Sequence, residues 1–332
     1  MNIREIAKKA GVSTATVSRV VNGTAPVALR TEQRVRKAIE HLGYYPNSHA
    51  RTLGSGKSQM YGLIISDISN PFFPDVVKHF EQIAVEHGQE VLIANTNYQP
   101  ERMKTCVRRM LERKVDGVAI MTSEMEPELI QILKNRGIPI VFLDTGDVGP
   151  QISNILIDYD HGVDMAIDHL TSLEHHRIAF VSGPPSLTSA RTRQEAFLKA
   201  LKRKGLKCIS DYVGVGNHRI DGGQAAMERM LDLSVKPTAV FASNDLTAIG
   251  VIRAIHAAGL RVPEDISVVG FDDIELSSFL EPPLTTVRVS RAEIGTRAFT
   301  ALYTENKNSG AAFKIQAELV VRQSTGPASI NR

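Results

Sequence analysis

From position 61 onward, short runs of apolar residues alternate with longer segments in which apolar residues recur every three or four positions. The short runs are nearly continuous, which is typical of strands that are covered on both faces. Strands that alternate with helices predict parallel sheets flanked by helices, and the length of this region allows two such sheets. The strand-like runs include YGLIIS, EVLIAN, GVAIM, PIVFLD, RIAFVSG, TAVFAS and ISVVGFD.

The first 43 residues have a different pattern, which predicts three short amphipathic helices. In the first helix, Ile3, Ile6, Ala7 and Ala10 fall on one face. Gly11 then allows a tight turn. Ser13 is the predicted N-cap of the second helix, and Thr31 and Gly43 are the predicted cap and stop of the third.

The second predicted helix is apolar on one side only, where Val17, Val20 and Val21 lie. Two helices joined by a turn of about three or four residues form a helix-turn-helix, whose second helix enters the major groove of DNA with its N-terminal end. Arg19 can bond a guanine edge, and the methyl group of Ala15 can contact a thymine methyl. A small three-helix bundle without DNA-binding function is the alternative.

The charge of the chain is unevenly distributed. The whole chain carries +3, but residues 1–59 contain ten basic and three acidic side chains, a local charge of +7, which leaves −4 on the remaining residues. A basic head on an acidic body favours a polyanion as partner of the head. Charge alone does not exclude a solvated surface, but together with the polar second helix it favours DNA. The ten basic residues are Arg4, Lys8, Lys9, Arg19, Arg30, Arg34, Arg36, Lys37, Arg51 and Lys57.

The composition predicts a cytoplasmic protein. No stretch approaches the roughly 18 apolar residues of a membrane span, and the polar N-terminus has no apolar export segment. Cys106 and Cys208 stand alone, so we expect reduced thiols rather than a disulfide framework or a metal site.

The stretch RTLGSGKS, residues 51–58, ends like a phosphate-binding loop. Such a loop requires a glycine at the position that Arg51 occupies here, and it follows a strand and opens a helix. In this chain a helical stretch precedes the motif and a strand follows it, so its N–H groups cannot lie at a helix N-terminus. We interpret the stretch as the end of a short helix at Leu53, followed by a flexible Gly-Ser linker.

The sequence contains one stretch that has the residue types of a metal site, but it lacks the common catalytic motifs. Residues 158–169 contain four aspartates and two histidines, but Asp160, Asp164 and Asp168 share one helix face and do not converge on an ion. Asp160 is instead the predicted N-cap. No GxSxG, GxGxxG or HExxH motif is present. We therefore expect no enzymatic activity, no metal and no cofactor.

Five stretches together resemble the lactose-repressor (LacI/GalR) family of bacterial transcription regulators, and the resemblance covers essentially the whole chain in the family's order. They are VSTATVSRVVNG, HLGYYPNSHARTL, GLIISDISNPFF, GPP followed by an arginine, and VVGFDD. The resemblance implies an all-α helix-turn-helix head and an α/β core of the periplasmic-binding-protein type, with two lobes of parallel sheet joined by three crossings. We expect these crossings near 158–160, 288–290 and 319–321.

The expected domains follow from this resemblance. They are a DNA-binding domain at 1–46, a hinge helix and linker at 47–59, and an effector-binding and dimerisation domain at 60–332, with lobe 1 at about 60–159 and 290–319 and lobe 2 at about 160–289 and 320–332.

The resemblance identifies residues 47–53 as a hinge helix that folds only on operator DNA. A helix this short is unstable alone in water, so its folding can be coupled to binding. Leu53 is then the apolar wedge that kinks the minor groove; the alternative is a linker residue packed on the neighbouring domain. The predicted DNA-binding residues are Ser13, Thr14, Ala15, Thr16, Ser18, Arg19, Asn22, Asn47, Arg51 and Leu53.

Ligands of open α/β sheets bind beyond the carboxyl ends of the strands. Asp67, Arg193, Asn244 and Asp272 follow such strands, and their donors and acceptors suit a small molecule with hydroxyl groups. The resemblance adds Phe72 and Phe73 as a ligand-stacking pair and Ser189 as a further donor. Leu187 stands where purine-responsive relatives carry arginine, which argues against a purine effector. Asp245 is expected to cap the following helix, and Phe72 could be a core residue instead.

The predicted function is a DNA-binding transcription regulator, and a repressor in particular, that binds a palindromic operator as a homodimer in the cytoplasm and associates with the nucleoid when bound. A small molecule, a sugar or sugar derivative, is expected to control DNA affinity allosterically. The polar tail TGPASINR lacks the apolar heptads with which some relatives form tetramers. One alternative is a regulator whose ligand or protein partner raises DNA affinity. The other is an α/β binding protein or enzyme whose head serves some other role.

Overall fold

The computed structural model describes residues 2–22, 25–44, 57–122, 125–304 and 309–329. The chain divides into two compact units, Met1–Gln59 and Met60–Arg332, which are called the head and the core below. The predicted hinge segment, with Asn47, Arg51 and Leu53, lies outside the described residues.

The described part of the head contains three helices, α1 (Ile3–Ala10), α2 (Thr14–Asn22) and α3 (Leu29–Leu42). The Ser13 hydroxyl accepts a hydrogen bond from the backbone N–H of Thr16, so the predicted cap of α2 is confirmed. Gly43 ends α3 in the left-handed conformation, also as predicted. The predicted cap at Thr31 is wrong, because α3 begins two residues earlier and the carbonyl oxygen of Ala28 accepts the N–H of Thr31.

The turn between α1 and α2 is held by an arginine of the third helix. The Arg34 guanidinium donates to the carbonyl oxygens of Ala10 and Gly11. Gly11 has a φ of +62°, and a Cβ atom at this position would lie 2.7 Å from Arg34 Nη2. Glycine therefore serves both the turn and this bond. The small core beneath the turn consists of Ile6, Ala7, Ala10, Val17, Val35 and Ala38.

Lobe 1 of the core contains a six-stranded sheet in the order β11-β5-β4-β3-β1-β2, and every neighbouring pair is parallel. Its strands are β1 (Met60–Ile65), β2 (Glu90–Asn95), β3 (Gly117–Met121), β4 (Ile140–Leu143), β5 (Ile152–Ile157) and β11 (Ala312–Ile315). Helices cover both faces of this sheet, as the apolar strands predict. They are α4 (Phe72–Glu86), α5 (Pro100–Arg113), α6 (Pro127–Asn135) and α11 (Arg291–Thr304).

Lobe 2 contains a second six-stranded sheet in the order β12-β10-β9-β8-β6-β7. Its strands are β6 (Ile178–Ser182), β7 (Val213–Val215), β8 (Ala239–Ala242), β9 (Ser267–Asp272), β10 (Thr285–Val289) and β12 (Ala317–Val320). The two predicted sheets are confirmed, with one exception to the parallel order: β12 runs antiparallel to β10.

The helices of lobe 2 are α7 (Tyr159–Ser172), α8 (Thr188–Arg203), α9 (Ile220–Leu231) and α10 (Asp245–Ala257), with 3₁₀ turns at Ser210–Tyr212 and Glu275–Ser278. Helices α9 and α10 pack at glycine contacts. A Cβ at Gly223 would lie 2.2 Å from the carbonyl oxygen of Thr247, and one at Gly250 would lie 2.0 Å from that of Ile220. No larger residue fits here without separating the two helices.

The chain crosses between the lobes three times, and all three crossings lie at one edge of the core. The first two fall at Asp158, between β5 and α7, and at Ser290, between β10 and α11, where they were expected. The third lies at Gln316, between β11 and β12, and not at 319–321. Residues 317–319 therefore belong to lobe 2. The alternation of apolar and polar residues continues from β11 into β12, so the sequence gives no sign of the change of sheet.

The acidic stripe of residues 158–169 has a structural role. Asp158, and not Asp160 as predicted, caps α7 by accepting the N–H of His161. The stripe faces basic residues of α8 and the residue that follows it, where Asp160 pairs with Lys199, Asp164 with Arg203 and Asp168 with Lys204. Within the described residues, no helix is both long and apolar enough to cross a membrane.

Candidate functional site

Helix α2 of the head presents a surface of small and polar side chains. Thr14, Ala15 and Arg19 are exposed, and Ser18 is half-buried. The hydroxyl groups of Ser13 and Thr16 lie 2.9 Å apart and hydrogen-bond to each other. These two residues therefore organise the first turn of the helix. The last predicted residue of this surface is Asn22, which ends α2.

A cavity lies in the cleft between the two lobes of the core, and the structure brings most of the predicted effector residues together there. The predicted residues that line it are Phe72, Phe73, Ser189, Arg193, Asn244 and Asp272. Polar and aromatic residues that were not predicted line it as well. They are Ser66, Asn70, Tyr98, Thr122, Asp144, Tyr159 and His218.

The aromatic part of the wall comes from the start of α4. The Asn70 side chain accepts the N–H of Phe72 and fixes the first turn of this helix. The rings of Phe72 and Phe73 pack edge to face with centroids 5.3 Å apart. Both rings are buried and belong to the core cluster, so the two interpretations of Phe72, core residue and cavity wall, hold together.

Arg193 is the central cation of the cavity, and it is buried. Its Nη1 donates to the carbonyl oxygen of Ser243 at 2.8 Å, and its Nη2 lies 3.4 Å from the Tyr159 hydroxyl and 4.0 Å from Asp272 Oδ1. The guanidinium also lies over the rings of Tyr159 and Phe271, at 4.9 and 4.6 Å from their centroids. These contacts hold the side chain in one place.

Asp272 ends β9 with a φ of +108°, a backbone angle that residues other than glycine rarely adopt. Its carbonyl oxygen accepts a hydrogen bond from Arg291, the first residue of α11 in lobe 1. Arg291 also donates to Asp75 on α4 at 2.8 Å. The strained backbone of a cavity residue in lobe 2 is thus tied to two helices of lobe 1.

Asn244 and His218 support each other on the lobe 2 side. Asn244 donates to the carbonyl oxygen of His218 at 3.1 Å, and its own side-chain oxygen accepts the N–H of Thr247. Asn244 therefore caps α10. A Cβ at Gly183 would lie 2.1 Å from the His218 ring, so the glycine that follows β6 makes room for this histidine.

Asp144 is the lobe 1 carboxylate of the cavity. It accepts hydrogen bonds from the Ile157 N–H at 2.7 Å and from the Tyr159 hydroxyl at 2.5 Å. Because Tyr159 in turn lies next to Arg193, a chain of polar contacts runs from lobe 1 to lobe 2 through the cavity.

Burial shifts the protonation of these groups. It raises the pKa of Asp272 from 3.8 to about 6, although the charges of Arg193 and Arg291 oppose the shift. It raises the pKa of Asp144 to about 6 as well, against the bonds from Ile157 and Tyr159. Burial and the charge of Arg193 lower the pKa of His218 to about 3. At neutral pH both carboxylates are ionised and His218 is neutral, so these groups and Arg193 give the cavity one net negative charge.

Two polar atoms of the cavity wall have no hydrogen-bond partner among the described residues. They are Thr122 Oγ1 and Arg193 Nε, and both are buried. Buried polar atoms in native proteins are nearly always bonded to protein, water or ligand. These atoms and the surrounding carboxylate, amide and hydroxyl groups can bond the hydroxyls of a polar small molecule whose apolar face lies on the phenylalanine rings.

Two sequence predictions at the strand ends need correction. Asp67 does not line the cavity; its carboxylate accepts from Ser69 and pairs with Arg219 at 2.8 Å. Asp245 does not cap α10, since Asn244 does. Asp245 is buried beneath Gly270 and accepts the Ile274 N–H, and burial together with the nearby charge of Asp272 raises its pKa well above the ordinary value.

Most of the residues that the sequence did not reveal come from loops, and Tyr159 comes from the first turn of α7. Asp144 and His218 have left-handed backbones, with φ of +58° and +61°, which aim their side chains in directions that no periodicity encodes. Tyr159 lies at the first crossing, inside the acidic stretch that was assigned to a helix surface. The one usable signal was position, because Asp144 directly follows strand β4.

Both units match known protein families. Residues 2–47 match the family described as bacterial regulatory proteins, lacI family, and residues 167–325 match the family described as periplasmic binding protein-like domain. A protein of Pasteurella multocida (strain Pm70), named HTH-type transcriptional repressor PurR, is 36% identical over 329 residues, which cover 97% of this chain and 98% of that protein. The chain belongs to the lacI family.

Solved structures of other family members have the same fold as this lacI-family protein. A lac repressor dimer bound to operator and the anti-inducer ONPF superposes with a TM-score of 0.86 at 30% identity, covering 98% of this chain and 99% of that one. A complex of the transcriptional regulator CelR with cellobiose gives 0.72 at 28% identity, with 98% and 99% covered. A family member from Enterococcus faecium with bound ribose gives 0.71 at 27%, with 81% and 100% covered.

This lacI-family protein is therefore a DNA-binding transcriptional repressor and not an enzyme. The expected fold class, a helical head followed by a two-lobed α/β core, is confirmed.

Proposed function

We propose that this repressor binds a palindromic operator as a homodimer and that a neutral sugar, bound in the cleft of the core, controls its DNA affinity. The observation that carries the proposal is the cavity, whose lining includes an arginine, two carboxylates, aromatic rings and Thr122, and in whose wall Thr122 Oγ1 and Arg193 Nε have no partner among the described residues. Sugars offer hydroxyls to such groups and an apolar face to aromatic rings.

The charges of the cavity favour a neutral ligand over a sugar phosphate or sugar acid. An anion would meet the carboxylates of Asp144 and Asp272, and the one guanidinium is already engaged with Ser243 and Tyr159. Leu187 adds a buried apolar side chain to the wall. The structural relatives with bound cellobiose and ribose support a carbohydrate.

On the DNA side, the exposed face of α2 is the proposed base-reading surface, with Arg19 and Ala15 toward base edges. Ser13, Thr14, Thr16, Ser18 and Asn22 would surround them, and Asn47, Arg51 and Leu53 are the proposed hinge contacts. The similarity to a lac repressor dimer bound to operator supports this arrangement. Such a protein acts where the chromosome is, so we place it in the cytoplasm.

A patch of exposed apolar residues in lobe 2 is the proposed dimer contact. Leu276 and Phe279 lie in one short turn and are 49% and 77% exposed. Val321, 55% exposed, precedes Arg322, whose guanidinium donates to Ser277 in that turn. Large apolar side chains that are exposed near one another are a feature of protein interfaces. Two-fold pairing of two heads matches a two-fold DNA site.

A thermal-shift screen of the full chain tests the effector proposal. The panel contains neutral sugars, sugar acids, sugar phosphates and nucleobases. A ligand that binds the native state raises the melting temperature. At a ligand concentration one hundred times Kd, the unfolding free energy increases by about 2.7 kcal/mol. We expect a neutral sugar to act on the wild type and on Asp168→Ala, a surface control, but not on Asp272→Ala. Stabilisation by a nucleobase or a phosphorylated sugar alone would contradict the proposal.

A further inference from the structure

Arg219, the arginine that pairs with Asp67, connects the two lobes of the core. Arg219 precedes helix α9 of lobe 2, and its Nη2 donates to Asp67 Oδ2 at 2.8 Å and to Asn97 Oδ1 at 2.9 Å. Asp67 follows β1 and Asn97 follows β2, so both acceptors belong to lobe 1. One guanidinium nitrogen thus bridges two lobe 1 loops to lobe 2.

This bridge lies far from the three crossings, so a small rotation of the lobes about the crossings moves its two sides by a large distance. All three crossings leave from the two strands at one edge of each sheet, β11 and β5 in lobe 1 and β12 and β10 in lobe 2. Asn97 and Arg219 follow β2 and β7, the strands at the opposite edge. Six strands spaced about 4.8 Å apart place these edges about 24 Å from each other. A rotation of about 10° about the crossings would move the far edge by about 4 Å and break hydrogen bonds there.

The bridge also lies at the rim of the cavity. His218 precedes Arg219, Tyr98 follows Asn97, and both neighbours line the cavity. Asn97 and Tyr98 have left-handed backbones, with φ of +52° and +56°, which turn this loop toward the cleft. A movement that separates Arg219 from lobe 1 therefore also moves the cavity residue His218 away from the cavity residue Tyr98.

Both ends of the bridge are anchored within their own lobes. Asp67 Oδ1 accepts the N–H and the hydroxyl of Ser69, which leaves Oδ2 aimed at Arg219. Burial alone would raise the pKa of Asp67, but the bonds from Ser69 and Arg219 lower it, so the group is ionised at neutral pH. On the other side, the glycine contacts of α9 with α10 fix the helix that carries Arg219.

We propose that Asp67, Arg219 and Asn97 form a clasp that holds the lobes closed over the cavity and opens when the effector enters or leaves. The clasp sets the ratio of closed to open cores, which is the equilibrium through which a cleft ligand controls a distant site. This inference concerns lobe closure and does not depend on the identity of the ligand.

Distance measurements between spin labels on the full chain, without any ligand, test the clasp. Labels at Ile93→Cys on β2 and Val215→Cys on β7 report on the far edge, since both side chains are exposed. Cys208→Ser removes the exposed native thiol, and Cys106 is buried. The wild type should give mainly the short distance. Arg219→Ala should raise the ratio of long to short distances about five-fold, as expected for one partly exposed ion pair.

Three comparisons make the test decisive. Arg229→Ala removes the same charge from α9, the helix that Arg219 precedes, and its guanidinium bonds the carbonyl oxygen of the labelled residue Val215 within its own lobe. This control shows what the loss of a charge beside the label does by itself, and we expect it to leave the distances unchanged. Asp67→Asn should open the cleft as Arg219→Ala does, and the two changes together should add less than their sum. High salt should open the wild type more than Arg219→Ala. Distances that are the same in Arg219→Ala and the wild type, or an equal shift in Arg229→Ala, would overturn the clasp, whatever the effector screen finds.

Discussion

Arg19 in the head and Arg193 in the core are both proposed to contact a ligand, but their surroundings are opposite. Arg19 is exposed on a helix with a small core beneath it. Arg193 is buried, bonded to Ser243 and Tyr159, and lies over two aromatic rings. An exposed cation stays hydrated until a polyanion displaces its water and counterions, whereas a buried one is already part of the fold. Changes in the cleft should therefore alter the stability of the free protein, and changes on α2 should alter DNA binding alone.

The largest expected effect is the loss of Arg193. Arg193→Ala leaves the buried carboxylates of Asp272 and Asp144 without their cation and should lower the unfolding free energy of the core by about 3–5 kcal/mol. Denaturant unfolding of the full chain measures this. Arg191→Ala is the control, because Arg191 is an exposed arginine on the same helix. Equal losses of unfolding free energy in the two variants would show that the buried Arg193 contributes no more to stability than an exposed arginine.

Removing the carboxylate of Asp272 should instead raise the unfolding free energy of the core. The pKa of Asp272 rises from 3.8 in the unfolded chain to about 6 in the fold. Between these values the native chain binds a proton that the unfolded chain does not, so stability falls as pH rises, and above pH 6 the cost is complete, at about 3 kcal/mol.

Asp272→Asn should therefore stabilise the core by about that amount at pH 7.5, but by little near pH 4, while it removes sugar binding. Unfolding curves of both proteins across this pH range measure the difference. A constant difference would contradict the raised pKa, and a destabilised variant at pH 7.5 would show that the carboxylate is favourably paired.

On the head, Arg19→Ala should leave the melting temperature unchanged and weaken operator binding by about 1–3 kcal/mol, with relaxed preference at one base pair. Fluorescence anisotropy with operator variants measures both. Arg36→Ala removes the same charge from α3, where Arg36 pairs with Glu32 in an exposed contact. If Arg36→Ala lowers affinity as much and the base preference of Arg19→Ala is unaltered, Arg19 contributes charge alone.

The smallest effect concerns an arginine of the head with a structural role. Arg34→Ala removes the bonds to the carbonyl oxygens of Ala10 and Gly11 and should destabilise the head by about 1 kcal/mol. Hydrogen exchange of the α1–α2 amides measures this loss. DNA binding should weaken without any change in base preference. A changed preference would mean that Arg34 contacts the bases.

The sequence predicts the layers of this fold better than its boundaries. Continuous apolar strands revealed both sheets, because burial on two faces leaves a strong signal. The passage from β11 to β12 at Gln316 leaves none, since one alternation of apolar and polar residues continues through two short strands of different sheets. The cap of α3 was misplaced because Thr31, a good capping residue, lies inside a first turn that begins at Leu29.

At the cleft, the sequence indicated residues that line the cavity where a side chain ends a strand or opens a helix, as Asp272 and Phe72 do, while their contact with an effector stays a prediction. Prediction failed for His218, whose placement depends on a left-handed backbone and on the space beside Gly183. It failed for Asp67 for another reason. Asp67 follows Ser66, which lines the cavity, but its carboxylate pairs with Arg219 of the other lobe, a contact that depends on the arrangement of the two lobes.

The central claim is that the cleft and the head are coupled. An operator obtained by selection from random DNA with the full chain, and a sugar identified in the thermal-shift screen, allow a direct measurement of operator Kd with and without that sugar. We expect the sugar to change the operator Kd about 5- to 150-fold, the operator to change the sugar Kd by the same factor, and Asp272→Ala to show no change in operator Kd. Either direction of change fits, since the sign tells an inducer from a co-repressor. An operator Kd that the bound sugar leaves unaltered would contradict the account.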